Sequence, residues 1–267
     1  LPRPRVRDTH GRGGDDRQTH GTFDMTQTSF PTTGRFPLDE ALVWRASVWN
    51  AWLPLALLLL LPLWAYADFS SYQTLLQNEI YGLLELTHAA FPLIAFFICA
   101  MLLRENVVRS SGLRTAFVAV FAMGAFWMAG EEVSWGQHHF GWATSPEWAA
   151  VNNQQETNLH NTSMLLNHLP RAVLTIAIAL GGLVMPFVAR SYPGLVQDWF
   201  TYLYPPASLA PLALIILALE GLVQLGNAVD LTSLIRFHDG ELQELFIVWA
   251  VLLYAIELRR RALLTRA

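Results

Sequence analysis

Lysine is missing from this chain of 267 residues: all 17 basic side chains other than histidine are arginines. Without lysine there is no Schiff-base partner for retinal, which excludes opsin chemistry, and no Walker-type phosphate loop. Cysteine is nearly as scarce. Cys99 stands alone, so the chain forms no internal disulfide, no cysteine-based zinc site and no iron–sulfur cluster. Charge is the third shortage. Charged residues make up 14% of the sequence, against about 25% in soluble domains. A net charge of −4 with no basic face excludes nucleic acid as a partner.

What replaces charge is apolar length. Hydrophobic residues reach 53% and collect into runs close to the ~20 residues that cross about 30 Å of hydrocarbon as helix. The expected fold is all-α, a polytopic transmembrane helix bundle whose partner is the lipid bilayer. Six spans are predicted, near 50–68, 80–103, 114–136, 171–190, 207–227 and 242–258. The first is almost pure Leu, Pro, Trp and Ala and is expected to face lipid. Around the spans, residues 1–48 form an N-terminal tail. Its first 24 residues are polar and without apolar periodicity, and read as disordered or as sequence upstream of a native start at Met25. The six-span domain covers 49–258 and a short tail covers 259–267.

Arginine placement sets the expected orientation. Arg35 and Arg45 precede span one, Arg104, Arg109 and Arg114 separate spans two and three, Arg190 follows span four, and Arg259, Arg260, Arg261 and Arg266 follow span six. The opposite side holds only Arg171 and Arg236. Both termini are therefore expected in the cytoplasm, with the connections 137–170 and 228–241 outside. Trp49, Trp64, Trp135, Trp142 and Trp148 fall near the predicted interfaces, as an aromatic belt does.

Carboxylates enter the spans at one end only. Glu85 and His88 lie near the outer end of span two, Glu131 and Glu132 near that of span three, Glu220 near that of span five, and Asp239, Glu241 and Glu244 open span six. An acid at a span centre costs about 2.5–3.5 kcal/mol on insertion scales, so the group calls for water, protons, arginine or a bound cation. Imidazole beside carboxylate suits Zn, Fe or Mn. Glu85 and His88, three apart, share a helix face; this is one Glu-x-x-His element, where a bundle di-metal site needs two. Glu131 and His138, like Glu132 and His139, are seven apart and share a face if the third helix continues past Gly136.

The segment 152–161, NNQQETNLHN, alternates Asn152, Gln154, Glu156, Asn158 and His160. Five polar side chains would line one side of an extended run; in a helix, Glu156 and His160 would meet at i,i+4. Ser145-Pro146-Glu147 reads as the cap and first turn of a short helix. The connection 137–170 is therefore expected to be an ordered cap over the outer end of the bundle, since a structureless link of this length is unusual.

The blocks G-E-E-V-S-W-G-Q (130–137) and N-x-Q-x-E-x-N-L-H-N (152–161) resemble an uncharacterised group of bacterial multi-span membrane proteins. The resemblance covers about 32 residues; the group often carries arginine after the Gln, where this chain has His138. It implies a multi-pass protein of the bacterial inner membrane and points to the same site, without naming a substrate.

Together these readings predict a metal-dependent membrane enzyme of hydrolase type acting on a lipid-like substrate. Glu131, Glu132, Glu85 and Glu220 are the candidate catalytic acids. His88, Glu85, Glu131, Glu156 and His160 are the candidate ligands of a divalent Zn, Fe or Mn. Ser134, Gln137, Asn152, Gln154, Asn158 and Glu244 are expected to support them. Two other classes compete. Buried Glu/His chains also mark proton- or cation-coupled transporters, although no inverted repeat and no polar cytoplasmic route is visible. A structural or assembly subunit could use the same polar cluster to hold its cap. Haem is disfavoured, because only His88 lies well inside a span.

Overall fold

Among the described residues, six long helices account for most of the chain. In the computed structural model, which describes residues 47–78, 81–228 and 239–266, five of them are long and apolar enough to cross a membrane: α1, Val48–Ala67; α2, Leu83–Leu102; α3, Gly112–Glu132; α4, Met164–Ser191; and α5, Ala207–Leu225. The sixth, α6, spans Asp239–Leu264. The expected tail up to residue 46 and the loop holding Asp230, Arg236 and His238 lie outside the described residues. All described residues belong to one unit of the chain.

Helix ends follow local chemistry. Ser47 and Asn50 cap α1 reciprocally: the Ser47 hydroxyl accepts from the Asn50 amide, and the Asn50 side chain accepts from the Ser47 amide. Ser111 caps α3 and Ser163 caps α4 in the same N-terminal way. The α4 cap moves the start of the fourth span seven residues ahead of the predicted 171. Asn167, His168, Pro170 and Arg171 read as loop in the sequence, yet a helix tolerates them where neighbours satisfy the backbone. His168 and Arg171 thus ride on a helix.

Exposure reverses the pattern of a soluble protein. Along α1 the outward stripe is Trp49, Trp52, Leu55, Leu59 and Leu63, and Val120 and Met123 of α3 are each 70% exposed. A helix surface this apolar, repeated on several helices, is stable against lipid and not against water. α6 differs: Leu242, Gln243 and every residue from Leu245 to Val251 are buried. A helix apolar on all sides belongs in the centre of a bundle. Acids at one end and arginines at the other keep it from matching a span by composition, though 26 residues reach about 39 Å.

Packing is unequal around the bundle. α2 packs along α3 on one side and α6 on the other, α5 packs on α6, and α4 packs on α5 and α6; α3 and α4 approach each other far more sparsely. At the end where α2 finishes, Phe121 meets Tyr254 edge-on, bringing α3 to α6. At the other end the helices part around a cavity.

Candidate functional site

α3 stops at Glu132, short of the predicted 136. Ser134 (φ 47°) and Trp135 (φ 54°) adopt the left-handed conformation and Gly136 follows at φ 90°. Two consecutive non-glycine residues there are costly, about 1–3 kcal/mol each, and persist only where the surroundings fix them. Three things do. The Trp135 ring folds back over Gly130, where a Cβ would lie 2.7 Å from it. Its indole N–H donates to Glu131 Oε1 at 2.9 Å. The Ser134 hydroxyl donates to Glu156 Oε2 at 2.8 Å. Because the helix ends here, Glu131/His138 and Glu132/His139 do not return to a common face.

Residues 152–159 are neither strand nor helix, and a short 3-10 turn, His160–Thr162, follows them. Asn152 Oδ1 accepts from the amides of Gln154 and Glu156 at 3.0 Å each, winding the chain into a side-chain-held turn, and Gln155 takes φ 60°. Local side-chain acceptors have outcompeted the ladder that the alternation suggested. The turn then docks on the end of α3. Glu131 Oε2 accepts from the Leu159 and His160 amides at 2.6 and 2.9 Å, Gln137 Oε1 from the Thr157 amide at 2.6 Å, and Asn158 Nδ2 donates to Ser134 Oγ and Glu156 Oε2. Asn161 Nδ2 also bonds Gln154 Oε1. The two sequence blocks are two halves of one hydrogen-bonded knot. Ser145 caps the short helix Pro146–Ala149 beside it.

Under this knot lies a cavity of about 300 Å³ between α2, α3, α4 and α6. One donor atom from each of Glu85, His88 and Glu132 lies within 4.8 Å of the others. His88 is 2% exposed. Its Nε2 is 3.1 Å from the Glu241 carbonyl oxygen, which can only accept, so Nε2 carries the proton. Nδ1 faces Glu132 Oε1 at 3.1 Å. A histidine with one nitrogen donating to a backbone carbonyl and the other facing carboxylates is oriented as a metal ligand is. Tetrahedral ligands 2.0–2.2 Å from zinc sit roughly 3.4 Å apart, between the 3.1 Å of the His88–Glu132 pair and the 4.8 Å limit of the group.

The remaining predicted residues divide. Glu131 and Glu156 line the cavity with their oxygens already engaged, Glu131 by three N–H donors and Glu156 by Ser134, Asn158 and His138 Nε2 at 2.7 Å. His160 lines it too, with Nδ1 3.6 Å from Glu131 Oε2. Burial opposes its charge, but the Glu131 hydrogen bond and the charges of Glu132, Glu131 and Glu244 outweigh that and raise its pKa. Gln154 and Ser134 reach the cavity wall, while Asn152, Asn158 and Gln137 hold the knot. Glu220 is not brought to the cavity: Gln224 and Gln243 donate to it at 2.9 and 2.7 Å.

Among the cavity residues outside the predicted set, Arg171 and Glu241 carry charge. Arg171 reaches in from α4, with NH1 donating to Glu244 Oε1 at 2.8 Å and NH2 2.9 Å from His168 Nδ1. Its signal was present, since arginine is rare on that side of the chain, but the late start assigned to span four left it in a loop. Glu241 also lines the cavity; it had read as an acid at a helix start. Six carboxylates (Glu85, Glu131, Glu132, Glu156, Glu241 and Glu244) thus share one chamber with Arg171, the one arginine there among the described residues. No family model, no curated protein and no solved structure matches the chain.

Proposed function

We propose that the protein is a membrane-embedded metalloenzyme of hydrolase type, with Glu85, His88 and Glu132 as ligands of one divalent Zn, Fe or Mn and a lipid-like substrate. The observation that carries this is the clustering of those three donor groups beside a histidine whose outer nitrogen is tied to a backbone carbonyl. Three protein ligands leave a coordination position for water, the pattern of catalytic sites. A divalent cation held there would supply Lewis-acid activation of water and of the carbonyl or phosphoryl oxygen under attack. Glu241, outside the ligand group, takes the proton as water attacks and returns it to the departing alcohol. The reading also has six helices crossing the bacterial inner membrane, both termini cytoplasmic and the 133–163 knot capping the outer end. The arginine-rich ends support that orientation.

The test is removal and return of metal. Purified protein stripped with chelator and reloaded with Zn, Mn or Fe is expected to hydrolyse an ester or phosphoester lipid only when loaded, and Glu241→Gln to keep the metal while losing about 100-fold in rate. Metal-independent flux of protons or cations through sealed vesicles, without hydrolysis, would instead establish the transporter reading. A chain inert in both assays leaves the assembly subunit.

A further inference from the structure

The cavity has a polarity gradient that three helices share. On α3, Trp127 and Met128 line it one turn before Glu131 and Glu132; on α4, Leu174 lines it one turn after Arg171; on α6, Ile247 and Val248 line it one turn after Glu244. Each helix changes from polar to apolar lining over about 5 Å, and each changes in the same direction, towards the middle of the bundle. The cavity therefore has a charged head and an apolar foot.

The foot has an open side. α3 and α4 both line the cavity but pack only sparsely on each other, and the surfaces flanking the opening are apolar: Met123 of α3, one turn before Trp127, is 70% exposed, and Leu169 and Val173 of α4 are 49% and 54% exposed. Behind the opening stand Ile247 and Val248, only 2% and 5% exposed. These two line the cavity yet are out of reach of anything on the outer surface of the bundle.

We infer that the α3/α4 opening is a lateral portal through which an acyl or similar hydrocarbon chain of a bilayer amphiphile enters, laying its chain against Ile247 and Val248 and its head, neutral or zwitterionic, among the carboxylates. The head preference follows from charge. Six carboxylates against one arginine, in a chamber walled by low-dielectric helix, repel an anionic head even after one divalent cation has bound. Lateral access also explains why the polar chamber sits beneath an ordered knot: the water side is roofed, and the substrate comes from the lipid side. The inference rests on the proposed enzyme for its chemistry but on packing alone for its geometry.

The experiment uses the full chain in vesicles with a photoactivatable lipid, a phosphatidylcholine carrying a diazirine on its acyl chain, and maps adducts by peptide mass spectrometry. Adducts on Ile247 and Val248 are expected, because surface lipid cannot touch either residue. Met128→Trp with Leu174→Trp, which fills the portal, is expected to cut that labelling about fivefold, while Leu174→Ala, which widens it, is expected to raise it. A phosphatidic-acid probe of the same chain is expected to label about tenfold less. Labelling confined to surface positions such as Leu59 and Leu63 of α1, or unchanged in both portal variants, overturns the portal; equal labelling by the anionic probe overturns the head preference. Metal content measured on the same samples separates the two claims. Labelled Ile247 without bound metal sinks the metalloenzyme and keeps the portal, and bound metal without labelling does the reverse.

Discussion

Both ends of the bundle bury carboxylates, and they do so on opposite terms. At the end where α2 and α6 finish, Glu105 is 5% exposed and bonds both Arg259 and Arg266, the latter through two bonds of 2.8 and 2.6 Å. Glu257 is shared by Arg260 and Arg261, and Arg261 also donates to the Tyr202 and Tyr204 carbonyls. Each acid there has more than one arginine. At the other end six carboxylates share Arg171. Compensation at the arginine-rich end is complete within the chain, which makes that end structural. At the cavity end it is incomplete, and the shortfall has to be met by protons or a cation from outside.

The contrast can be broken from either side. The largest effect is expected at the cavity: Glu132→Gln should lower divalent-metal affinity more than 100-fold, roughly the loss of one anionic ligand of three, with the fold retained on circular dichroism. Glu105→Gln should do the opposite, costing about 1 kcal/mol of stability, since the two arginines it leaves unpaired are partly solvated, while metal binding stays unchanged; thermal melts of both variants compare the two directly. Burial acts to raise the Glu105 pKa, but the hydrogen bonds and charges of Arg266 and Arg259 outweigh it and hold the group below its ordinary value. Its contribution is therefore complete above the unfolded value near 4.3 and is lost as pH falls through the depressed folded value. Gly130→Ala should cost about 1–3 kcal/mol by forcing the Trp135 ring off α3, with the loosened knot read as faster proteolysis within 137–163. The smallest effect is a pH dependence of the knot. The raised His160 pKa means that its stabilisation is full below about 6.5 and lost as pH rises through the elevated folded value. Amide exchange at Leu159 and His160, corrected for intrinsic rates, should quicken over that range.

Much of this was legible in the sequence because hydrophobic length and carboxylate position are one-dimensional signals. The runs of Leu, Ala and Ile announced α1 to α5, and the depth of Glu85, His88, Glu132 and Glu244 announced a polar chamber at one end. The connection 133–163 was not legible in the same way. Its alternating polar residues satisfy a strand template, but Asn152 spends its side chain on its own backbone, and that choice depends on Ser134 and Glu131 waiting across the knot. Glu220 shows the reverse error: depth along a helix is readable, azimuth is not, and its face turns to Gln243 instead of the cavity. Arg171 was missed for a third reason. A helix that begins with Asn, His and Pro on its first turns violates local propensity and is paid for by tertiary contacts, which a single sequence does not display.

The central claim is that the uncompensated end binds a cation through Glu85, His88 and Glu132. Elemental analysis of detergent-purified protein, beside a Glu85→Gln/Glu132→Gln variant and the Glu105→Gln control, tests it most directly. The account predicts near-stoichiometric Zn, Fe or Mn in the parent and in Glu105→Gln, and background levels in the double variant. Equal metal in all three proteins, or none in the parent after growth with those metals supplied, would contradict it.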